Sequence, residues 1–313
     1  MGLRARRLDG AVVVITGASS GVGRATAHAF ARHGCRLVLA ARGLPALVSV
    51  TAECEALGAS AIAVPTDVAD ADAMERLGAR AIATFSRIDV WVEGAGVVVA
   101  APFGDETVAE LRRLVDTNVM GALLGARVAL RIFREQGTGV LINISSLLGI
   151  VPNPVVPAYV ASKFAIRGLS LALRQDTRNR DVHVSVVVPG PVDTPLFQRS
   201  ANHTGHELRA IPPAYAPERV AAAIVRCARR PRRQVTAGVL SHAILVLHHL
   251  VPRMTEFAVA RWSARLITRR APDESGSGAL FEPWFQGNVH GGWRRGALRR
   301  RIGEGWGVRA GAR

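Results

Sequence analysis

Lysine is almost absent from this chain. Of its 40 lysines and arginines only Lys163 is a lysine, and only two tyrosines, Tyr159 and Tyr215, occur in 313 residues. Cysteine is scarce as well. Cys35, Cys54 and Cys227 are odd in number and widely spaced, which argues against a disulfide framework or a C-x-x-C metal site and favours a reducing cytoplasm. No metal ligand set is expected. No uncharged apolar run reaches the ~20 residues that span a bilayer. The arginine-bearing start of the chain runs directly into a strand pattern, without the apolar segment and cleavage site of a secretory signal. Acid is also short, 24 Asp and Glu leaving a net charge of +16, so nucleic acid or an anionic membrane comes into question as a partner. The arginines are dispersed, however, and no zinc-finger or aromatic RNA-binding signature accompanies them, so nucleic acid is disfavoured.

What is present is enough apolar material, 49% of residues, for one large α/β domain with an appendage or for two small domains. Tyr159-Val160-Ala161-Ser162-Lys163 stands in a run that reads as helix, so tyrosine and lysine emerge on one face about a turn apart. A phenol ionises near pH ~10 and works as a base at neutrality only beside a fixed cation, which Lys163 can be. A chain that otherwise uses arginine kept one compact ammonium here. Upstream, residues 141–146 form an apolar run ending in Ser145 and Ser146, a buried strand whose carboxyl end delivers Ser146 to the crevice where open α/β sheets bind ligands. Ser146 can donate to a substrate oxygen there, or it can simply cap the next turn.

Residues 11–16 are a β-branched strand leading into Gly17-Ala18-Ser19-Ser20-Gly21-Val22-Gly23 and then a helical pattern. Strand, glycine turn and helix make a phosphate cradle: Gly17 allows the turn, Gly21 admits the pyrophosphate to the backbone and Gly23 permits close helix packing. The next strand ends at Arg42, where a free ribose 2′-hydroxyl would want a carboxylate and a 2′-phosphate a cation, so NADP(H) is favoured over NAD(H). Asp67, followed by Val68, either faces the adenine edge or caps the helix that begins near residue 70. A fourth strand ends in Glu93-Gly94-Ala95-Gly96, whose small residues let a cofactor lie against the backbone, although a plain turn explains them too. Asn118 lies inside one long helix pattern, 108–134, an unfavourable place that either points to solvent or holds a water relaying protons to Lys163. After the strand at 182–188, Pro189-Gly190-Pro191-Val192-Asp193-Thr194 makes a rigid turn in which Val192 and Thr194 can hold a carboxamide.

Taken together, Thr16-Gly17-x-x-x-Gly21-x-Gly23, Asp67, Asn118, Ser146, Tyr159-x-x-x-Lys163 and Pro189-Gly190 resemble the short-chain dehydrogenase/reductases in order and spacing over residues 8–240. The resemblance implies one doubly wound sheet of about seven parallel strands with helices on both faces, in a homo-oligomer, binding a nicotinamide dinucleotide. It implies that Tyr159 is the acid/base, that Ser146 orients the substrate oxygen, that Lys163 binds the nicotinamide ribose and lowers the tyrosine pKa, and that Asn118 completes a proton relay. One departure stands out. Where the family has Asn-Asn-Ala-Gly, this chain has Glu93-Gly94-Ala95-Gly96.

The expected organisation is a catalytic domain over 1–240 with a mobile substrate lid at 195–216, an apolar and basic helical extension over 241–270 and a Gly/Arg-rich, disordered tail over 271–313. From 234 to 252 there is no Lys, Arg, Asp or Glu, and arginines 253, 261, 265, 269 and 270 follow at near-helical spacing. This extension can lie on a membrane surface, pack on a second subunit or roof a hydrophobic substrate pocket. From Gly291 onward seven arginines face one glutamate, so an electrostatic tether to anionic lipid is a further reading of the tail. The expected substrate is a small carbonyl or alcohol of hydrophobic character.

Overall fold

The computed structural model describes residues 5–177, 181–268, 271–285 and 287–294. In chain order the first elements are β1 (Val12–Thr16), α1 (Gly21–Ala31), β2 (Arg36–Ala41), α2 (Leu44–Ala56), β3 (Ser60–Pro65), α3 (Ala71–Phe85), β4 (Val90–Glu93) and β5 (Val99–Ala100). They are followed by α4 (Val108–Val115), α5 (Gly121–Gln136), β6 (Thr138–Ile144), α6 (Pro157–Asp176), β7 (Asp181–Pro189), β8 (Ala201–Asn202), α7 (Pro217–Arg229), β9 (Gln234–Ala237), α8 (Val239–Leu250) and α9 (Pro252–Thr268). Seven strands build one parallel sheet in the order β3-β2-β1-β4-β6-β7-β9, the doubly wound architecture expected from the sequence.

Parallel strands covered on both faces read as unbroken apolar runs, and β1 is buried along its whole length. Phe30, Leu47 and Ile224, from α1, α2 and α7, pack in one layer with β1 and β2. Met74, Leu77 and Phe133, from α3 and α5, pack with Trp91 in the other. Each such side chain contributes ~1.5–3 kcal/mol by leaving water. The chain steps outward from β1 to β2 and β3, then returns across β1 to β4, so its winding reverses between β1 and β4. That reversal opens a crevice beyond the carboxyl ends of the strands.

The sequence pattern predicts a single helix over 108–134, and the structure divides it. A capping box starts α4, Thr107 and Glu110 each bonding the other's backbone N–H, but Asp116–Met120 form a π-helical turn before α5. The wider turn turns Asn118 inward, where it is 1% exposed rather than facing solvent. The lid expected to be mobile carries structure of its own. Phe197–Arg199 form a 3-10 turn, β8 pairs with β5, and Asn202 and His206 bridge to Gly276 and Pro272.

Residues 271–285 and 287–294 also depart from expectation, because they are not a free tail but lie along the crevice. Their glycines serve close approach: a Cβ at Gly287 would fall 1.9 Å from Arg24 Nη1, and one at Gly291 2.4 Å from the Thr194 carbonyl. Residues 295–313, including Trp306 and most of the arginines of the suggested lipid tether, lie outside the described residues, as do Arg269 and Arg270. The three cysteines are buried apart from one another, and burial pushes the Cys35 and Cys54 thiols up to about 12 and Cys227 to about 11. Among the described residues no helix is long and apolar enough to cross a membrane.

Candidate active site

Two cavities share the crevice and meet at Gly96, Val98 and Leu196. The first is lined by the ends of β1 to β3 and the turn after β4, among them Gly17, Ser19, Arg42, Asp67, Val68 and Ala95. The second is lined by Ser146, Tyr159, Lys163 and Val22, by the β7 turn residues Pro189, Gly190, Val192 and Thr194, and by apolar side chains including Leu148, Ile211, Ile244 and Trp262. It encloses about 1320 Å³, its open mouth included. The remaining expected residues stand just behind these walls. A Cβ at Gly23 would lie 2.1 Å from the Gly17 carbonyl, so only glycine lets α1 pack against the turn. Gly94 donates its N–H to Thr16 Oγ1 at 3.1 Å, behind the first cavity.

At the second cavity Ser146 takes the capping role that the sequence allowed. It follows β6 as the cap of a short turn, its Oγ accepting from Leu148 N–H at 3.1 Å, and it also hydrogen-bonds the Tyr159 hydroxyl. Ser145 Oγ donates to the Lys163 carbonyl at 2.8 Å and so ties β6 to α6. Lys163 Nζ lies 5.4 Å from the centroid of the Tyr159 ring, on the same helix face, and donates to the Ile144 carbonyl at 3.1 Å. Burial pushes the Lys163 ammonium down to about 8. Burial likewise pushes Tyr159 up to about 12, with the Ser146 hydrogen bond opposing it. The expected lowering of the tyrosine by Lys163 is therefore not the governing effect here: desolvation of the phenolate prevails, and the ammonium is bonded to a carbonyl instead of the hydroxyl.

The Asn118 amide is fully engaged. Its Oδ1 accepts from Val97 N–H at 2.8 Å, and its Nδ2 donates to the Val97 carbonyl at 2.9 Å and to Ser162 Oγ at 3.0 Å. It thus pins the chain after β4 to α6. At the junction between the cavities a Cβ at Gly96 would sit 3.5 Å from Asn118 Oδ1 and 3.6 Å from Lys163 Nζ, at ordinary contact distance.

Glu93 answers the question raised by the missing asparagine pair. Its buried carboxyl accepts from Thr16 Oγ1 at 2.8 Å and from the Trp91 indole N–H, joining the end of β1 to β4. Thr16 Oγ1 in turn accepts from the Gly94 and Ala95 N–H groups. Room for the longer acid comes from α5, where a Cβ at Gly125 would lie 1.5 Å from Glu93 Oε1. Burial pushes this carboxyl up to about 7, against the two hydrogen bonds.

Arg42 corrects a second expectation. Its guanidinium is not free for a 2′-phosphate but donates to the carbonyls of Ala279, Leu280, Phe281 and Glu282 at 2.9–3.1 Å. Asp67 accepts from Arg113 Nη2 at 2.6 Å and from Ala69 N–H, while Asp70 is the residue that caps α3. Burial opposes ionisation of Asp67, but Arg113 and the Ala69 N–H together hold its pKa below the ordinary value. Beyond Arg42, the segment continues past Gly43, the Asn288 carbonyl accepts from Gly21 N–H at 2.9 Å, and Trp293 Nε1 donates to the Thr194 carbonyl at 2.9 Å. Ala279 and Trp284 become part of the first cavity's wall. No local pattern marks them, nor Arg199, whose Nη1 donates to Ser20 Oγ at 2.9 Å.

The chemistry of this donor set fits a dinucleotide. The glycine turn before α1 and the Arg199 guanidinium line one cavity, and a hydroxyl, phenol and ammonium line the other. A crevice so equipped at the switch point of a doubly wound sheet defines a dinucleotide-dependent oxidoreductase. The chain belongs to the short-chain dehydrogenase/reductases: residues 11–205 match the family profile described as short chain dehydrogenase. It is 36% identical over 263 residues to the uncharacterized oxidoreductase YxnA of Bacillus subtilis, covering 81% of this chain and 72% of that one. It is 34% identical over 242 residues to 3beta-hydroxysteroid dehydrogenase 1 of Eggerthella lenta, covering 74% and 92%. A crystal structure of a short-chain dehydrogenase/reductase from Burkholderia phymatum in complex with NAD matches with a TM-score of 0.73 at 26% identity, over 87% of this chain and 99% of that one. The protein is therefore an NAD(P)-dependent oxidoreductase of this family.

Proposed function

We propose that the protein interconverts a hydrophobic alcohol and its ketone or aldehyde, using NADP(H). The observation that carries this reading is the Tyr159 hydroxyl, held by Ser146 and backed by Lys163, on the wall of an apolar cavity that joins the glycine-lined one. A nicotinamide dinucleotide in the crevice supplies or accepts the hydride. Gly17, Ser19, Ser20, Gly21, Val22 and Gly23 would hold its phosphates, Asp67, Val68, Ala95 and Gly96 its adenosine side, and Lys163, Pro189, Gly190, Val192 and Thr194 its nicotinamide side. A phenol with a pKa near 12 is protonated throughout the neutral range, so Tyr159 is poised to give a proton to a carbonyl oxygen. Ser146 donates to the same oxygen and orients it, while the Lys163 charge favours the phenolate left behind. The absence of an acid at the end of β2 and the Arg199 guanidinium in the first cavity support NADP(H). The apolar lining and the steroid dehydrogenase relative support a bulky hydrophobic substrate. Consumption of NADPH and of NADH with a panel of apolar ketones tests this, and no turnover of any carbonyl with either cofactor would refute it. A second reading, a cofactor-sensing protein without catalysis, draws on the altered Glu93-Gly94, but that acid has a structural use.

A lipid surface as a partner rests on α8 and α9. Leu247, Leu250, Met254 and Phe257 are 51–71% exposed, Arg253 and Arg261 flank them, and the one acid of the pair, Glu256, is bonded to His248. Apolar side chains bordered by arginine suit an anionic bilayer. The same two helices supply Leu240, Ile244 and Trp262 to the substrate cavity, which would let an apolar substrate enter from the lipid side. Cosedimentation with anionic vesicles tests it.

A further inference from the structure

We propose that Arg199, carried on the segment between β7 and α7, is a phosphate-binding group reaching into the glycine-lined cavity from the substrate side. This rests on the reading that the crevice holds a nicotinamide dinucleotide.

Three observations converge on Arg199. It lines the same cavity as Gly17, Ser19 and Arg42. Among the described residues its side chain has one hydrogen bond, to Ser20 Oγ, at the residue that opens α1, where the helix dipole favours an anion. Among the described residues no carboxylate pairs with it. The acid facing this cavity, Asp67, is taken by Arg113, and the other guanidinium, Arg42, is spent on four backbone carbonyls. Arg199 is thus the cation of this wall with donors to spare. Partial burial and the nearby Arg42 push its pKa down to about 10, the direction expected of a half-buried cation beside another cation. A guanidinium so placed is costly until an anion neutralises it, and a phosphate that accepts two of its N–H groups does so with the geometry of the fork.

The position couples the two cavities. Residues 196 and 197 precede Arg199 in the same short turn, Leu196 lines both cavities and Phe197 lines the substrate one. The Arg199 carbonyl accepts from Ala279 N–H at 2.9 Å, so the turn is also fastened to the C-terminal segment. A phosphate bound by Arg199 would fix the wall against which the substrate packs, making cofactor binding a condition for a well-formed substrate pocket.

Two phosphates of the dinucleotide share this chemistry, the 2′-phosphate and the pyrophosphate. Dissociation constants for NADPH and NADH, measured by calorimetry on wild type, Arg199→Gln and Arg199→Lys, separate them. Loss of a charge-assisted bidentate contact is expected to weaken binding at least ~10-fold in Arg199→Gln, with partial recovery in Arg199→Lys. Weakening confined to NADPH assigns the 2′-phosphate, and equal weakening of NADPH and NADH assigns the pyrophosphate. In either case substrate KM should rise more than kcat falls. Binding of both cofactors by Arg199→Gln within twofold of wild type, in a variant with the wild-type melting temperature, overturns the proposal. Failure of wild type to bind either cofactor would instead overturn the reading of the crevice itself.

Discussion

Replacing Glu93 by glutamine isolates the effect of burying an acid where β1 meets β4. Burial raises this carboxyl from 4.5 to about 7. Between those values the folded protein keeps a proton that the unfolded chain has released, so each pH unit upward favours unfolding by ~1.4 kcal/mol. The sign is the reverse of the usual surface carboxylate. Stability tied to this group is greatest below pH 4.5, falls as pH rises and levels off above about 7. From pH 5 to pH 8 the loss comes to about 3 kcal/mol, a large share of the net stability of an ordinary domain. Glutamine keeps the shape, can still accept from the Trp91 indole N–H and does not titrate. Urea unfolding of both proteins at pH 5 and pH 8 is the assay, since other titrating groups are common to both and cancel in the difference. Glu93→Gln should gain about 3 kcal/mol on wild type between the two pH values. A difference that does not move with pH, or a variant that loses ground at pH 8, would show that Glu93 is ionised in the fold and stabilised by its neighbours.

Tyr159→Phe should lower carbonyl reduction by ~10²–10⁴-fold with cofactor affinity little changed, because the hydroxyl and not the ring transfers the proton; normal turnover would refute its assignment. In wild type, reduction should decline as pH rises past about 8, where Lys163 loses its charge. Leu250→Glu with Phe257→Glu should abolish sedimentation with anionic vesicles, which in wild type should weaken as salt rises; equal binding by the double variant would exclude α8 and α9 as the contact. Deleting residues 279–313 removes the wall that Ala279 and Trp284 give to the first cavity, and stopped-flow release of NADPH should quicken at least ~10-fold if the segment retains the cofactor; an unchanged rate would show that it is only packing.

The parts of the fold that were legible are those whose signal is local. The glycine turn between β1 and α1, the apolar runs of the sheet and the Tyr159 and Lys163 pairing follow from periods of two and 3.6 residues and from glycine chemistry. What stayed hidden depends on partners far along the chain. Arg42 meets carbonyls 237 to 240 residues away, and no window of sequence contains both. The use of Glu93 needs Thr16, Trp91 and Gly125 together, and a glycine in the middle of α5 was the one visible hint that something bulky lies against it. Arg199 was concealed by abundance, because one arginine among so many carries little information. The glycines after residue 271 suggested disorder by composition, whereas Gly287 and Gly291 are there because the backbone passes within contact distance of Arg24 and Thr194.

The wall that Ala279 and Trp284 give to the first cavity has a bearing on biosynthesis. When a ribosome has released β9 the entire sheet can assemble, yet the nucleotide groove still lacks one side, which emerges some forty residues later. A nascent chain at that stage presents an open trough, and dinucleotide captured then would be enclosed as translation finishes.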